Sequence, residues 1–178
     1  MKLRITLAAL ATLAFTGCSI SPGMTQASGP MAMAKLEATR GNAVTGLVTF
    51  QQQGAQVMVH AQVEGLVPGQ EHGFHIHEKG DCSSGDGMSS GGHFNPGSKP
   101  HGSPEADHHA GDLPALKADH NGKVDAKFEV TGVTIGSGAA DIVGKGLIVH
   151  AMPDDYKTQP TGNSGARIAC AVIVRQMP

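Results

Sequence analysis

Aromatic side chains are nearly absent from this chain. Its 178 residues contain no Trp and one Tyr, and Phe, Trp and Tyr together make up 3%. Large rings therefore cannot dominate a core, which must come from Val, Ile, Leu and Ala. A basic surplus is also missing. The formal net charge is −2, and setting aside Lys2 and Arg4 near the N-terminus leaves eleven basic residues against fifteen acidic ones. That balance excludes nucleic acid as a partner. Bilayer-spanning apolar runs are missing as well, since the stretch from Ile5 to Phe15 is too short to cross. Past that stretch, no segment combines a helical apolar stripe with caps. Cysteines number three.

Glycine and histidine are what the chain has in quantity, with 25 and 10 residues. Short apolar stretches separated by glycine-rich turns read as strands: 44–50, 57–63, 116–118, 123–130, 147–150 and 168–174. Asn121-Gly122 between two of them is a hairpin signal. The fold class is therefore all-β, a sandwich or barrel, and one domain of ordinary size accommodates it.

Six of the ten histidines fall between His75 and His109. In His75-Ile76-His77, strand alternation sends both imidazoles to one face and Ile76 to the other. Such a pair can bind one ion, although the triplet alone is weak evidence. His93, His101 and His109 then recur at intervals of eight, and Asp112 follows three residues later. The residues between them, including Pro96, Gly97, Pro100, Gly102, Pro104 and Gly111, make loop. Three imidazoles and a carboxylate suit tetrahedral zinc; the bland alternative is a histidine-rich loop that binds metal loosely. His150 ends the apolar run from Gly146.

With these residues in place the chain resembles the copper–zinc superoxide dismutases of the bacterial, exported type. The resemblance rests on Gly73-Phe74-His75-Ile76-His77-Glu78, Gly92-His93-Phe94-Asn95-Pro96, His101-Gly102 and His109-Ala110-Gly111-Asp112-Leu113. It continues through Val149-His150, Asp154-Asp155 and Gly162-Asn163-Ser164-Gly165-Ala166-Arg167-Ile168-Ala169-Cys170, and it covers residues 35 to 175. It implies a flattened Greek-key β-barrel of about eight strands with long metal-binding loops. It implies His75, His77, His93 and His150 as copper ligands, and His93, His101, His109 and Asp112 as zinc ligands, with His93 shared. Asp154 matches a carboxylate that links His75 to His101, and Arg167 matches the cation that guides an anionic substrate. Cys82 and Cys170 match a disulfide pair, which suits an oxidising compartment. Of the adjacent His108 and His109, the family pattern selects His109 and leaves His108 solvated. Lys79 is a candidate for steering, more simply read as a surface lysine.

The implied reaction is dismutation of superoxide to dioxygen and hydrogen peroxide by a copper redox cycle with a zinc-bridged His93. The alternative is a copper- or zinc-storing lipoprotein without turnover, which would have no use for Arg167. The resemblance also allows for a homodimer.

The N-terminus has the shape of a signal peptide over residues 1–17: Lys2 and Arg4, then a short apolar run. Phe15-Thr16-Gly17-Cys18 looks like a bacterial lipoprotein signal, so the expectation is a lipidated Cys18 and a periplasmic, membrane-anchored protein. Ordinary cleavage near Ala27 would instead release a soluble periplasmic protein. Residues 18–34 read as a flexible tether rich in Ser, Gly, Pro and Met, and residues 35–178 as the dismutase domain.

Overall fold

Period-two burial builds the strands. In a computed structural model that describes residues 29–177, the first three strands are β1 (Met31–Ala38), β2 (Thr45–Gln53) and β3 (Gln56–Glu64). Ala32, Ala34 and Leu36 of β1, Val48 and Phe50 of β2, and Val57, Val59, Ala61 and Val63 of β3 all point inward, and their polar neighbours point out. The remaining strands are β4 (Glu71–His72), β5 (Phe74–His77), β6 (Leu116–Lys117), β7 (Val124–Val130), β8 (Gly146–His150), β9 (Arg167–Val172) and β10 (Val174–Gln176). Among the described residues the only helical turn is a short 3₁₀ turn at Met88–Ser90.

The main sheet runs β5-β8-β9-β1-β2-β3-β7, entirely antiparallel, with β10 also on β1. One edge of β1 carries β2, and its other edge carries β10 at Met31–Met33 and β9 at Glu37–Ala38. The sheet curls around its apolar face into the barrel expected from the sequence. Leu147 and Val149 of β8, Ala169 and Ala171 of β9, and Ile173 enter that core. Phe50 and Phe74 lead the largest fully buried side chains, so the few aromatics are spent inside with the aliphatics.

Three local expectations need correction. Strand β1 begins at Met31, inside the segment read as tether. Within that segment its inward residues are Ala32 and Ala34, flanked by Met31 and Met33, which gives little hydrophobic contrast to detect. Asn121-Gly122 does form a turn: Gly122 takes φ 72°, Asp119 N–H donates to the Lys123 carbonyl at 2.8 Å, and Asp119 Oδ1 accepts from Asn121 and Lys123 amides. The flanking strands do not pair with each other, however; β6 pairs with β4 and β7 with β3. The turn is local chemistry, whereas the partner is chosen by burial. The strand read over 168–174 is two strands, interrupted where Ile173 bonds Lys145 and Gly144.

Cys82 and Cys170 form a disulfide across 88 residues of sequence. Loop-closure entropy alone gives about 4–5 kcal/mol for a loop of that size. The bridge fastens the segment before the 3₁₀ turn to β9. Cys18 and the leader lie outside the described residues.

Candidate metal centre

β5 is the edge strand on one side of the sheet, and it is buried on both faces. Phe74 and Ile76 enter the barrel core, so His75 and His77 emerge on the outer face. Antiparallel register with β8 places Ile148 opposite His75 and Gly146 opposite His77, and His150 N–H donates to the Gly73 carbonyl at 2.8 Å. His150 therefore shares the outer face with His75 and His77. On β9 the ladder is irregular between Val149 and His150, so that Arg167, not Ile168, lies opposite His150. Bulges of this kind re-aim side chains beside functional sites. Here Ile168 stays in the core and Arg167 joins the histidines.

The long loop closes over this face by pairing with the free edge of β5. Phe94 N–H donates to the Ile76 carbonyl at 2.8 Å and Ile76 N–H to the Gly111 carbonyl at 2.9 Å, with bridges His77–His93 and His75–Asp112. Gly111 is required there, because a Cβ would overlap the Ile76 carbonyl oxygen. His93 and Asp112 are thereby carried from loop to strand edge.

The result is two four-residue clusters that share one member: His75, His77, His93 and His150, and His93, His101, His109 and Asp112. In each cluster the potential ligand atoms lie within 4.8 Å of one another, and every residue is buried. Several of the rings are anchored through one nitrogen. His77 Nδ1 reaches the Gly91 carbonyl at 2.9 Å, His150 Nδ1 the Gly165 carbonyl at 3.2 Å, and His75 Nε2 the Asp154 carboxylate at 2.7 Å. Asp154 reaches His101 Nε2 with its other oxygen at 2.9 Å, so one carboxylate joins the two clusters. Gly162, with φ 69°, leaves room for this arrangement, since a Cβ there would overlap Asp154 Oδ1 and His101 Nε2.

The opposite nitrogens have no partner. His75 Nδ1, His77 Nε2, His93 Nε2, His150 Nε2, His101 Nδ1 and His109 Nδ1 are all buried without a hydrogen bond. A buried unsatisfied polar atom costs about 1–3 kcal/mol. Six that converge need an occupant that accepts lone pairs, and a metal ion meets that need. In the second cluster His101 Nδ1 lies 3.0 Å from Asp112 Oδ2 and His109 Nδ1 3.3 Å from Asp112 Oδ1. These approaches lack hydrogen-bond alignment, as expected of donor atoms facing a common ion. Asp112 is oriented by its Oδ2, which accepts His109 N–H at 2.9 Å and Gly102 N–H at 3.1 Å.

Electrostatics favours neutral imidazoles in the first cluster. Burial pushes His75 down to about 4 and His150 to about 3, and it lowers His77 further. Their lone pairs are therefore free at neutral pH. His101 behaves oppositely. Burial opposes its charge, yet Asp112 and Asp154 outweigh burial and push it up to about 9. Both carboxylates are held below their usual range by His101, with His93 also acting on Asp112 and His75 on Asp154, against the opposing effect of burial.

Arg167 is held in a cradle the sequence did not disclose. Nη1 donates to the Gly87 carbonyl at 2.8 Å and to Ser90 Oγ at 2.9 Å, and Nη2 donates to the Gly91 carbonyl at 2.7 Å. Gly91 thus serves Arg167 and His77 together. A glycine carbonyl carries no side-chain signature, so no motif could announce it. His108 stands outside both clusters; it is half-buried, not solvated, with Nδ1 against the His109 carbonyl at 2.6 Å. Lys79 is exposed.

The sequence profile of the copper/zinc superoxide dismutases matches residues 44–173. The chain belongs to that family. It is 40% identical to superoxide dismutase [Cu-Zn] 2 of Aquifex aeolicus, over 80% of this chain and 85% of that protein. It is 43% identical to the extracellular superoxide dismutase [Cu-Zn] of Drosophila melanogaster, over 73% of this chain and 75% of that one. Among solved structures, the clock protein EA4 superposes with a TM-score of 0.75 at 36% identity, covering 88% of this chain and 100% of that chain. The enzyme is a superoxide dismutase, an oxidoreductase whose substrate is superoxide and whose cofactors are copper and zinc.

Proposed function

We propose that copper is held by His75, His77, His93 and His150, and zinc by His93, His101, His109 and Asp112, with His93 serving both. The observation that carries this reading is the convergence of six buried, unpartnered imidazole nitrogens in two clusters that meet at His93. An all-imidazole set suits copper, and three imidazoles with one carboxylate suit zinc. Copper, when bound, supplies the one-electron couple that dismutation requires, and zinc supplies fixed charge without redox chemistry.

The chain's own residues supply the rest. Arg167 offers a planar guanidinium beside His150, suited to holding anionic superoxide by charge-assisted hydrogen bonds. Its cradle of carbonyls keeps the fork pointed, and burial reduces the hold on its proton only from a very high starting value. His93 Nδ1 lies 2.7 Å from Asp112 Oδ1, so these two atoms face the second cluster together, while Nε2 faces the first. His93 Nε2 is the atom that can carry a proton to the second superoxide as that molecule becomes hydrogen peroxide. Asp154 holds the His75 and His101 rings in register from behind, which fixes their tautomers. A metal-storage role without turnover leaves the guanidinium beside the first cluster without a purpose. The test is titration of metal-free protein with copper and zinc while superoxide consumption is followed. Activity is expected to track copper in one-to-one proportion and to be absent with zinc alone; activity that follows neither metal would overturn the reading.

The enzyme is further read as an exported bacterial lipoprotein, with residues 1–17 as signal, Cys18 acylated, the tether after it, and the dismutase domain facing the periplasm. Support comes from Lys2 and Arg4, the short apolar run, Gly17-Cys18, and a disulfide that suits an oxidising compartment. The relative from Drosophila bears the word extracellular in its name. Several acyl chains on one cysteine anchor stably where one does not. Cys18→Ala is expected to shift the protein from the membrane to the soluble fraction, or to block its maturation. A mature N-terminus well past Cys18 without acyl mass, read by mass spectrometry, contradicts the anchor. A homodimer is compatible with this reading.

A further inference from the structure

His101 sits in a loop with no strand or helix to hold it. Its ring is fixed from behind by Asp154, but a ring is only as well placed as the backbone that bears it. His101 is almost fully buried, and its backbone N–H and C=O pair with no other backbone group among the described residues. Buried main-chain groups need partners. Both are supplied by one side chain, Gln159. Its Oε1 accepts His101 N–H at 2.9 Å, and its Nε2 donates to the His101 carbonyl at 2.9 Å. The primary amide thus imitates a neighbouring strand across a single residue.

The same segment makes two further contacts around the centre. Tyr156 N–H donates to Asp154 Oδ1 at 2.7 Å and fixes the carboxylate, while the Tyr156 hydroxyl accepts Ala115 N–H at 3.0 Å, just beyond the loop. Gln159 is the member that touches the metal cluster only through the His101 main chain. Its single other side-chain hydrogen bond among the described residues is a long one to the Lys157 carbonyl at 3.4 Å. The amide is the one uncharged side chain that can donate and accept at two points in this geometry. A carboxylate would keep the acceptor and set an oxygen against the His101 carbonyl. An aliphatic side chain would leave both buried groups unpaired.

We propose that Gln159 is a positioning residue that sets the His101 imidazole for zinc by clamping its backbone at both polar groups. The inference rests on the reading of His101 as a zinc ligand. Partners that orient a ligand typically contribute about 10–100-fold to metal affinity. Gln159→Leu is therefore expected to weaken zinc binding by about tenfold, measured by chelator competition on the full-length protein. Cobalt(II) in place of zinc should show a shifted visible spectrum, since those bands report ligand geometry. Copper affinity, measured in parallel, should keep its wild-type value, because Gln159 touches none of His75, His77, His93 or His150. Gln159→Glu, which keeps the acceptor but sets an oxygen against the His101 carbonyl, should also bind zinc more weakly than the native protein. Wild-type zinc affinity and an unchanged cobalt spectrum in Gln159→Leu would overturn the proposal. So would an equal loss of zinc and copper affinity, which marks a general loosening of the fold, or a Glu variant that binds as tightly as the native protein. Failure of the native protein itself to bind zinc would instead remove the ligand reading on which the proposal stands.

Discussion

His77→Ala abolishes superoxide dismutation while zinc stays bound. That outcome is expected because His77 belongs to one metal cluster only, whereas His93, His101, His109 and Asp112 make up the other. Removing the imidazole takes away one of four converging nitrogens and opens the first cluster to water. The second cluster keeps all its donors, His93 Nδ1 and Asp112 among them. Activity should fall to the level of metal-free protein, with about one equivalent of zinc retained by elemental analysis. Full activity in a copper-loaded His77→Ala protein would contradict the assignment of this histidine.

Arg167→Glu should retain copper and lose at least about tenfold in rate at low salt. A two-unit change of charge about 6 Å from the anion is worth roughly 1.4 kcal/mol even at the dielectric of water, which is about tenfold. The deficit should shrink as ionic strength rises beyond about 0.1 M, where the screening length is about 10 Å. Arg167→Lys keeps the charge but loses the fork that meets the carbonyls of Gly87 and Gly91. It should fall between the native protein and the charge reversal. A low-salt rate unchanged by Arg167→Glu, with copper occupancy equal, would show that another group guides the anion.

The metal centre was legible in proportion to how much of it is side chain at regular spacing. His75-Ile76-His77 announces a shared face because strands alternate. The recurrence of histidine at 93, 101 and 109, with Asp112 after it, announces a cluster because the residues between cannot be helix or strand. The structure brings His75, His77, His93, His101, His109 and Asp112, six residues, together with His150 and Asp154. The bulge that swings Arg167 toward His150 in place of Ile168 leaves no mark in composition, because bulges are settled by long-range pairing. The cradle around Arg167 is backbone carbonyl, and the clamp on His101 is a glutamine among polar loop residues; neither has a pattern to detect. The fold follows the same division. Strands with strong contrast, such as β2 and β3, were legible to within a few residues, whereas β1 was partly read as tether because alanine and methionine give weak alternation. The turn at Asn121-Gly122 was correct as a turn and misleading as a hairpin, since turn chemistry is local and strand partnership is not.

The shared imidazole of His93 is the centre of the whole reading, and anomalous X-ray diffraction at the copper and zinc edges tests it most directly. Crystals of the doubly loaded protein are expected to show one copper peak among the unpartnered nitrogens of His75, His77, His93 and His150. They are expected to show one zinc peak among His93, His101, His109 and Asp112, with the His93 ring between the two. A single metal site, metals exchanged between the clusters, or peaks away from His93 would contradict the account.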